Sequence, residues 1–384
     1  MRERFLSSIY RTRSSNALGD AAGRQGDPEL INLSLGDPDF ITPQEIIDEA
    51  FAHASNGHTR YTKPQGDPEL IKSIGTFIRE EYQAEVRLSE VMVTVGACHA
   101  MYIAMSAILD EGDEVIVPDP YFVPYYEQIT MARGKFVPLP TKAEDDFEID
   151  LTLLESLITP KTKAILINSP NNPTGAVYGR ATLEKLGELA NKYKLIILAD
   201  EVYEALSFRV KHVSVLEIAS LRDKSIVFGS FSKSYAMTGW RIGYAIAPDY
   251  VIRTMVQINE SICFSAPSIS QRAAIMAIKQ RAILQPKLIH AFEERMDYGY
   301  ERINLIDELH VMKPKGGIYL FVDIRKTGLS SEAFSQRLLN EKKVLVLPGN
   351  VFGDQGEGFV RIAVTVDLKQ LAVAFDRIED FLKK

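Results

Sequence analysis

The sequence predicts an α/β protein: a large unit on a mostly parallel sheet flanked by helices, with a smaller α+β unit built from both termini. Three observations predict it. Five short β-branched runs recur through the middle of the chain, amphipathic helical patterns separate several of them, and both ends lack that alternation. The runs are "VMVTV" (91–95), "EVIVP" (114–118), "AILIN" (164–168), "LIILA" (195–199) and "SIVFG" (225–229). Each is nearly continuous in apolar residues and bounded by turn formers, as strands buried on both faces are. Helical patterns lie at 98–109 and 180–193, the second periodic in Leu183, Leu186, Leu189 and Ala190. At the ends, residues 1–45 hold the extended, turn-rich "LSLGDPDFITP". A helical pattern near 285–309 leads to "GGIYLFVDI", "KKVLVLPG" and "FVRIAVTV". The expected division is 46–285 for the large unit, and 1–45 with 286–384 for the small one.

The totals narrow the function. A chain of 384 residues, 46% hydrophobic and 25% charged, has the composition of a globular protein with a large core. A net charge of −7 argues against nucleic acid or an anionic membrane as the main partner. Two cysteines, Cys98 and Cys263, supply neither a disulfide framework nor a cysteine-rich zinc site, and suit a reducing cytoplasmic compartment. The opening "MRERFLSSIY" has no apolar stretch of signal-peptide length, and no run reaches membrane-spanning length. No HExxH pair and no GxxxxGK[ST] loop occurs, so neither a zinc peptidase nor a P-loop nucleotide site is expected, and no metal.

In open parallel sheets, ligands bind beyond the carboxyl ends of the strands. "GACHA" follows the first run, "DPYFVPY" the second and "SPNNPTG" the third. "DEVY" follows the fourth, and "SFSKSYAMTGWRIG" (230–243) the fifth. In that last stretch Lys233 and Arg241 are two cations almost without acids nearby, an arrangement that calls for an anion between them. Taken singly, each piece has an ordinary explanation. "GACHA" suits a strand-to-helix turn, "SPNNPTG" a loop of turn formers, Asp200 a helix N-cap, and Tyr121, Phe122 and Tyr125 core residues. Their joint delivery to one sheet edge marks a site.

The ordered set "NNPTG", "DEVY" and "SFSKSYAMTGWRIGY", framed by "LGDPDF" (35–40) and "FVRIAV" (359–364), resembles the class I aminotransferases. These are fold-type I pyridoxal-phosphate (PLP) enzymes, here aspartate/aromatic aminotransferase-like, and the resemblance spans nearly the whole chain. It implies that Lys233 bonds covalently to the PLP aldehyde. Arg241, Ser230, the adjacent Ser232 and the backbone at Gly96, Ala97 and Cys98 would hold the phosphate, which is the anion between the two cations. Asp200 would face the pyridine nitrogen, Tyr203 and Asn172 the 3′-oxygen, and Phe122 the ring face, where many relatives carry tryptophan. Arg361 would clamp the substrate α-carboxylate beside Asn172 and the backbone of Gly36. Tyr61, in "RYTKPQG", matches a tyrosine that reaches the phosphate from a neighbouring subunit, which implies a homodimer with shared sites.

The implied reaction is a ping-pong transfer of an amino group from an L-amino acid to a 2-oxo acid, with 2-oxoglutarate as the expected acceptor. Cys98 stands where some bacterial aspartate aminotransferases carry a lysine that assists recognition of a second carboxylate, which puts an aspartate preference in doubt. Phe40, Tyr121 and Phe264 suit aromatic or apolar side chains, and an N-acetylated diaminopimelate derivative stays open. The same framework supports β-elimination from cysteine conjugates, a C–S lyase reaction. The rival of another class is a non-catalytic PLP-binding regulatory domain. With so short a stretch before the first motif, the DNA-binding segment that such regulators carry is not expected.

Overall fold

The computed structural model describes residues 28–383, so the expectations placed on residues 1–27 lie outside the described residues. Twelve strands occur among these: β1 (Ile31–Asn32), β2 (Val91–Thr94), β3 (Glu114–Asp119), β4 (Lys135–Pro140), β5 (Thr162–Asn168) and β6 (Ile196–Asp200). They continue with β7 (Ser225–Ser230), β8 (Gly243–Ile246), β9 (Tyr319–Asp323), β10 (Val344–Leu345), β11 (Leu347–Pro348) and β12 (Phe359–Ala363). The five runs read from sequence are β2, β3, β5, β6 and β7, each within two residues of its expected ends.

These five join β4 and β8 in a seven-stranded sheet of order β2-β8-β7-β6-β5-β3-β4. Only β8 runs antiparallel to its neighbours. The two strands not foreseen have physical reasons for their silence. β4, "KFVPLP", carries two prolines, which lack ladder donors and are tolerated because the strand lies at the sheet edge. β8, "GYAI", is short and opens on glycine, so neither length nor propensity marks it.

The period-2 alternation of strand side chains divides the core between two faces. Ile165, Ile197 and Val227 pack on one side with Leu183 and Leu186 of the helix Arg180–Tyr193. Leu166, Leu198 and Phe228 pack on the other with Met101 and Met105 of the helix Gly96–Ile108. The helix Arg180–Tyr193 spans the expected residues and ends where Lys194 turns left-handed, at φ 58°.

Two smaller sheets lie apart from this one. β9, β11 and β12 form an antiparallel trio, and β1 pairs in parallel with β10. The run "KKVLVLPG" therefore splits at Val346 between two sheets. The helix Arg281–Asn304 covers them, packing Phe292 and Met296 with Leu320, Val322 and Phe375. That helix also fixes the segment "LGDPDF": Arg295 donates from both terminal nitrogens to Asp39, at 2.7 and 3.0 Å, and lies 4.8 Å from the Phe40 ring. Among the described residues no helix is long and apolar enough to cross a membrane, and no cluster of metal-ligating side chains occurs.

A bidentate pair with a buried guanidinium leaves a stranded carboxylate when one partner is removed. Arg295→Ala is expected to lower unfolding stability by about 2 kcal/mol in a denaturant titration, Asp39 being partly solvated. An unchanged midpoint would show that the 35–40 segment is held by other contacts.

Candidate active site

The register of the large sheet puts the site residues side by side. Asn168 pairs with Asp200, Asp200 with Phe228, and Ser230 with Gly243, which in turn faces Thr94. The carboxyl ends of β2, β5, β6 and β7 thus meet along one edge. A cavity of about 190 Å³ opens there, among Ala97, Cys98, Phe122, Asn172, Asp200, Tyr203, Ser230, Ser232, Lys233 and Arg241. Ten of the residues expected from sequence are therefore brought together around one space.

At one part of the cavity wall the helix Gly96–Ile108 begins. Its first amides have no partner within the helix, and its N-terminal end carries partial positive charge. Gly96 adopts φ +76°, a conformation that favours glycine, and a Cβ there would fall 2.9 Å from Arg241 Nη2. Arg241 approaches the helix start that closely only because this position has no side chain. Arg241 is itself left-handed at φ 53°, and its Nη1 donates to the Thr238 carbonyl at 2.7 Å. Ser230 Oγ accepts the Ser232 N–H at 3.1 Å, which fixes the turn leading to Lys233. The Lys233 ammonium donates to the Gly36 carbonyl. Desolvation pulls its pKa below the usual lysine range, against the opposing influence of Tyr319 and Asp37.

Asp200 is buried, and burial pushes its carboxyl up to about 6 even though Tyr125 Oη donates to it at 2.5 Å and the Val202 N–H at 3.2 Å. Tyr203 Oη lies 3.0 Å from Tyr319 Oη. Burial raises the Tyr203 phenol well above its ordinary value, so it stays protonated as a donor. Phe122 meets Tyr125 edge-on, with ring centroids 5.4 Å apart.

Asn172 joins the cavity to Arg361. Its N–H donates to Asn168 Oδ1 at 2.7 Å, and its Oδ1 accepts from Arg361 Nη1 at 2.9 Å, leaving the amide nitrogen available to the cavity. Arg361 is 1% exposed, and its Nη2 donates to the Ser34 carbonyl. The guanidinium lies 4.2 Å from the Tyr319 ring and 4.8 Å from the Phe352 ring. Its Nε is buried without a partner, and desolvation lowers the pKa of the group. Among the described residues no carboxylate lies within salt-bridge distance of Lys233, Arg241 or Arg361.

Four expected residues do not line the cavity itself: Gly96 and Arg361, which adjoin it through Arg241 and Asn172, and Gly36 and Tyr61. Gly36 contributes the carbonyl that meets Lys233, and a Cβ there would fall 1.8 Å from Tyr319 Oη. Tyr61 is 84% exposed, packs against Phe264 at 5.1 Å, and does not line the cavity of its own chain. The structure adds members that sequence reading missed. Asn168 ends β5 inside a run that reads as strand, Tyr125 has an ordinary explanation as a core residue, and Tyr319 lies in "GGIYLFVDI" outside any motif. The polar residue closing the apolar run "AILIN" was the one available signal. Tyr125 and Tyr319 find their partners 75 and 116 residues away, where local pattern is blind.

A carboxyl with a folded pKa near 6 and an unfolded value of 3.8 binds more protons folded than unfolded between those limits. Its ionisation therefore costs stability progressively as pH rises from about 4 to 6, and fully above that. Cofactor-free Asp200→Asn escapes this cost. It is expected to exceed the parent by about 2–3 kcal/mol in urea unfolding at neutral pH, with the gap closing below about pH 4. A variant less stable than the parent at neutral pH would contradict this.

Comparison with known proteins converges on one family. The family model described as aminotransferase class I and II matches residues 28–378. The aspartate aminotransferase of Thermotoga maritima is 37% identical over 374 residues, 97% of each chain. The aromatic-amino-acid aminotransferase 2 of Thermococcus litoralis is 36% identical, over 94% of this chain and 93% of its own. The solved structure of the Thermus thermophilus aspartate aminotransferase with maleate superposes with a TM-score of 0.93 at 33% identity, covering 98% of this chain and 99% of that one. The chain belongs to aminotransferase class I and II, and is a pyridoxal-phosphate-dependent transaminase.

Proposed function

We propose that this enzyme moves the amino group of an L-amino acid to a 2-oxo acid, with 2-oxoglutarate as acceptor, in two half-reactions that share the cavity around Lys233. The observation that carries the reading is the meeting of Lys233, Arg241, Asp200 and the Asn172–Arg361 pair at one sheet edge. The donor set fits PLP. Arg241, Ser230 and the amides of Ala97 and Cys98 suit a phosphate dianion, and the close approach of Arg241 to Gly96 gives that cradle its shape. Ser232 lies in the same turn. Asp200 suits a protonated ring nitrogen, Tyr203 and Asn172 a phenolic oxygen, and Phe122 the ring face.

When bound, PLP supplies an aldehyde that captures the substrate amine and a ring that takes up negative charge from the substrate Cα. The chain's own residues do the rest. Arg361, desolvated between two aromatic rings and with Nε unpartnered, grips the α-carboxylate and so fixes which Cα bond can break. Gly36 brings backbone to the same place. Lys233 would take the substrate Cα proton and hold it for return, work for which an amine of lowered pKa is suited. Asp200 keeps the ring nitrogen protonated, and a cation there would relieve the burial cost of its carboxylate.

The reading includes a homodimer in which Tyr61, exposed in one chain, reaches the partner's phosphate site. It includes the division into units 46–285 and 1–45 with 286–384. It also includes a cytoplasmic setting, in which Cys98 and Cys263, both free, stay reduced. The relatives bear names for both aspartate and aromatic substrates. We favour apolar or aromatic donors, because Cys98 adds no cation to the cavity for a second carboxylate.

Lys233→Ala is expected to lower turnover about a thousandfold or more, since general acid–base transfer and covalent capture are lost together. Wild-type turnover would remove the lysine from the mechanism. A panel of amino acids with 2-oxoglutarate, read as glutamate formed, should show one or more donors. Pyruvate and ammonia released from cystathionine without any acceptor would instead indicate β-elimination.

A further inference from the structure

Asp119 closes β3, and its backbone carbonyl accepts from Thr141 N and Oγ1, at 2.9 and 2.8 Å, within the large sheet. Its side chain points elsewhere. Although only 3% exposed, the carboxylate leaves its own sheet and accepts the backbone N–H groups of Asp354 and Gln355, at 3.1 and 3.3 Å. Those residues lie in the loop between β11 and β12. The fit is tight: Gly353 adopts φ +117°, and a Cβ there would fall 2.1 Å from Asp119 Oδ1. Immediately before Gly353 lies Phe352, fully buried, whose carbonyl accepts the Tyr121 N–H at 2.8 Å. One short stretch of β3 and its following turn is thus tied twice to one short stretch of the other loop.

The two stretches bear on different parts of the site. The turn after β3 carries Phe122, which lines the cavity. The loop carries Phe352, whose ring lies against the Arg361 guanidinium. We infer that Asp119 is a positioning residue for substrate binding: its carboxylate docks the 352–355 loop onto the end of β3, and so holds Arg361 at a fixed distance from the cofactor-facing wall. The inference rests on the reading of Arg361 as the α-carboxylate clamp. Nothing in the local sequence announces it, because "PDPYF" reads as a turn.

The latch is sensitive to protonation. The titratable groups that face Asp119 are Asp354 on the docked loop and Tyr121 on its own side; Tyr126 and Glu127 bear on Tyr121. Burial pushes the Asp119 carboxyl up to about 6, and the two backbone N–H groups oppose that rise. The ionised form that accepts both N–H groups is therefore complete above neutrality and is lost as pH falls through about 6.

The test uses the PLP-loaded enzyme and its Asp119→Asn, Gly353→Ala and Arg361→Lys variants. At about pH 7.5, Asp119→Asn is expected to raise the KM for the amino donor about five- to tenfold, with kcat within about twofold of the parent and PLP affinity unchanged. The ratio of the two KM values should shrink toward one by about pH 5, where the parent has lost the charge. Gly353→Ala, which evicts the carboxylate from the other side, should reproduce the effect, and the double variant should be no worse than either single one. An unchanged KM in both variants, a ratio constant across pH, or effects that multiply would overturn the inference. Arg361→Lys separates the two readings. If it raises KM while Asp119→Asn does not, the latch alone fails; if Arg361→Lys leaves KM untouched, the clamp itself fails.

Discussion

The structure depends on positive charge gathered where the chain offers it little negative charge in return. Lys233, Arg241 and Arg361 surround or adjoin one cavity, and Asp200 is the carboxylate that lines it. Cations so placed repel one another, and desolvation sharpens the repulsion. Backbone geometry holds them there. Lys233 rides a turn pinned at Ser230, Arg241 is fixed in a left-handed turn before β8, and Arg361 is locked in β12 by Ser34 and Asn172. A fold that maintains such an arrangement is shaped for anionic ligands, and a phosphate-bearing cofactor with a carboxylate substrate supplies two of them.

Burial then acts with one cause and two signs. It pulls the Lys233 ammonium down and pushes the Asp200 carboxyl up, in each case disfavouring charge. For the lysine, that favours the neutral amine, the form that the proposed proton transfer uses. For the carboxylate, it creates a standing demand for a cation close by. Tyr125 meets part of that demand with a hydrogen bond, and a protonated ring nitrogen is suited to meet the rest. Asn172 couples this half of the site to the other, since its amide oxygen is committed to Arg361. In the proposed reading, one loop therefore sets both cofactor and substrate contacts.

Much of this was legible in the sequence where local pattern carries it. The five apolar runs and the helix 180–193 follow from burial on both faces and from a 3.6-residue period, and they appear as read. The polar residues just beyond those runs converge because parallel strands all end at one edge. What escaped was set by tertiary context. β4 is allowed its prolines only by its edge position, and β8 has too few residues to signal itself. Tyr125, Tyr319 and Asp119 look like core or turn residues until distant partners give them work. Tyr61 is the converse: the sequence resemblance singles it out, while a single chain leaves it on the surface beside Phe264.

In the proposed mechanism Lys233 is the amine that carries the cofactor, with Arg241 beside its phosphate. Reductive trapping tests it most directly: the PLP-loaded protein is treated with borohydride, digested, and the tagged peptide identified by mass. A single tag is expected, on the peptide containing Lys233. A tag on another lysine, or none on a protein that has bound PLP, would contradict it.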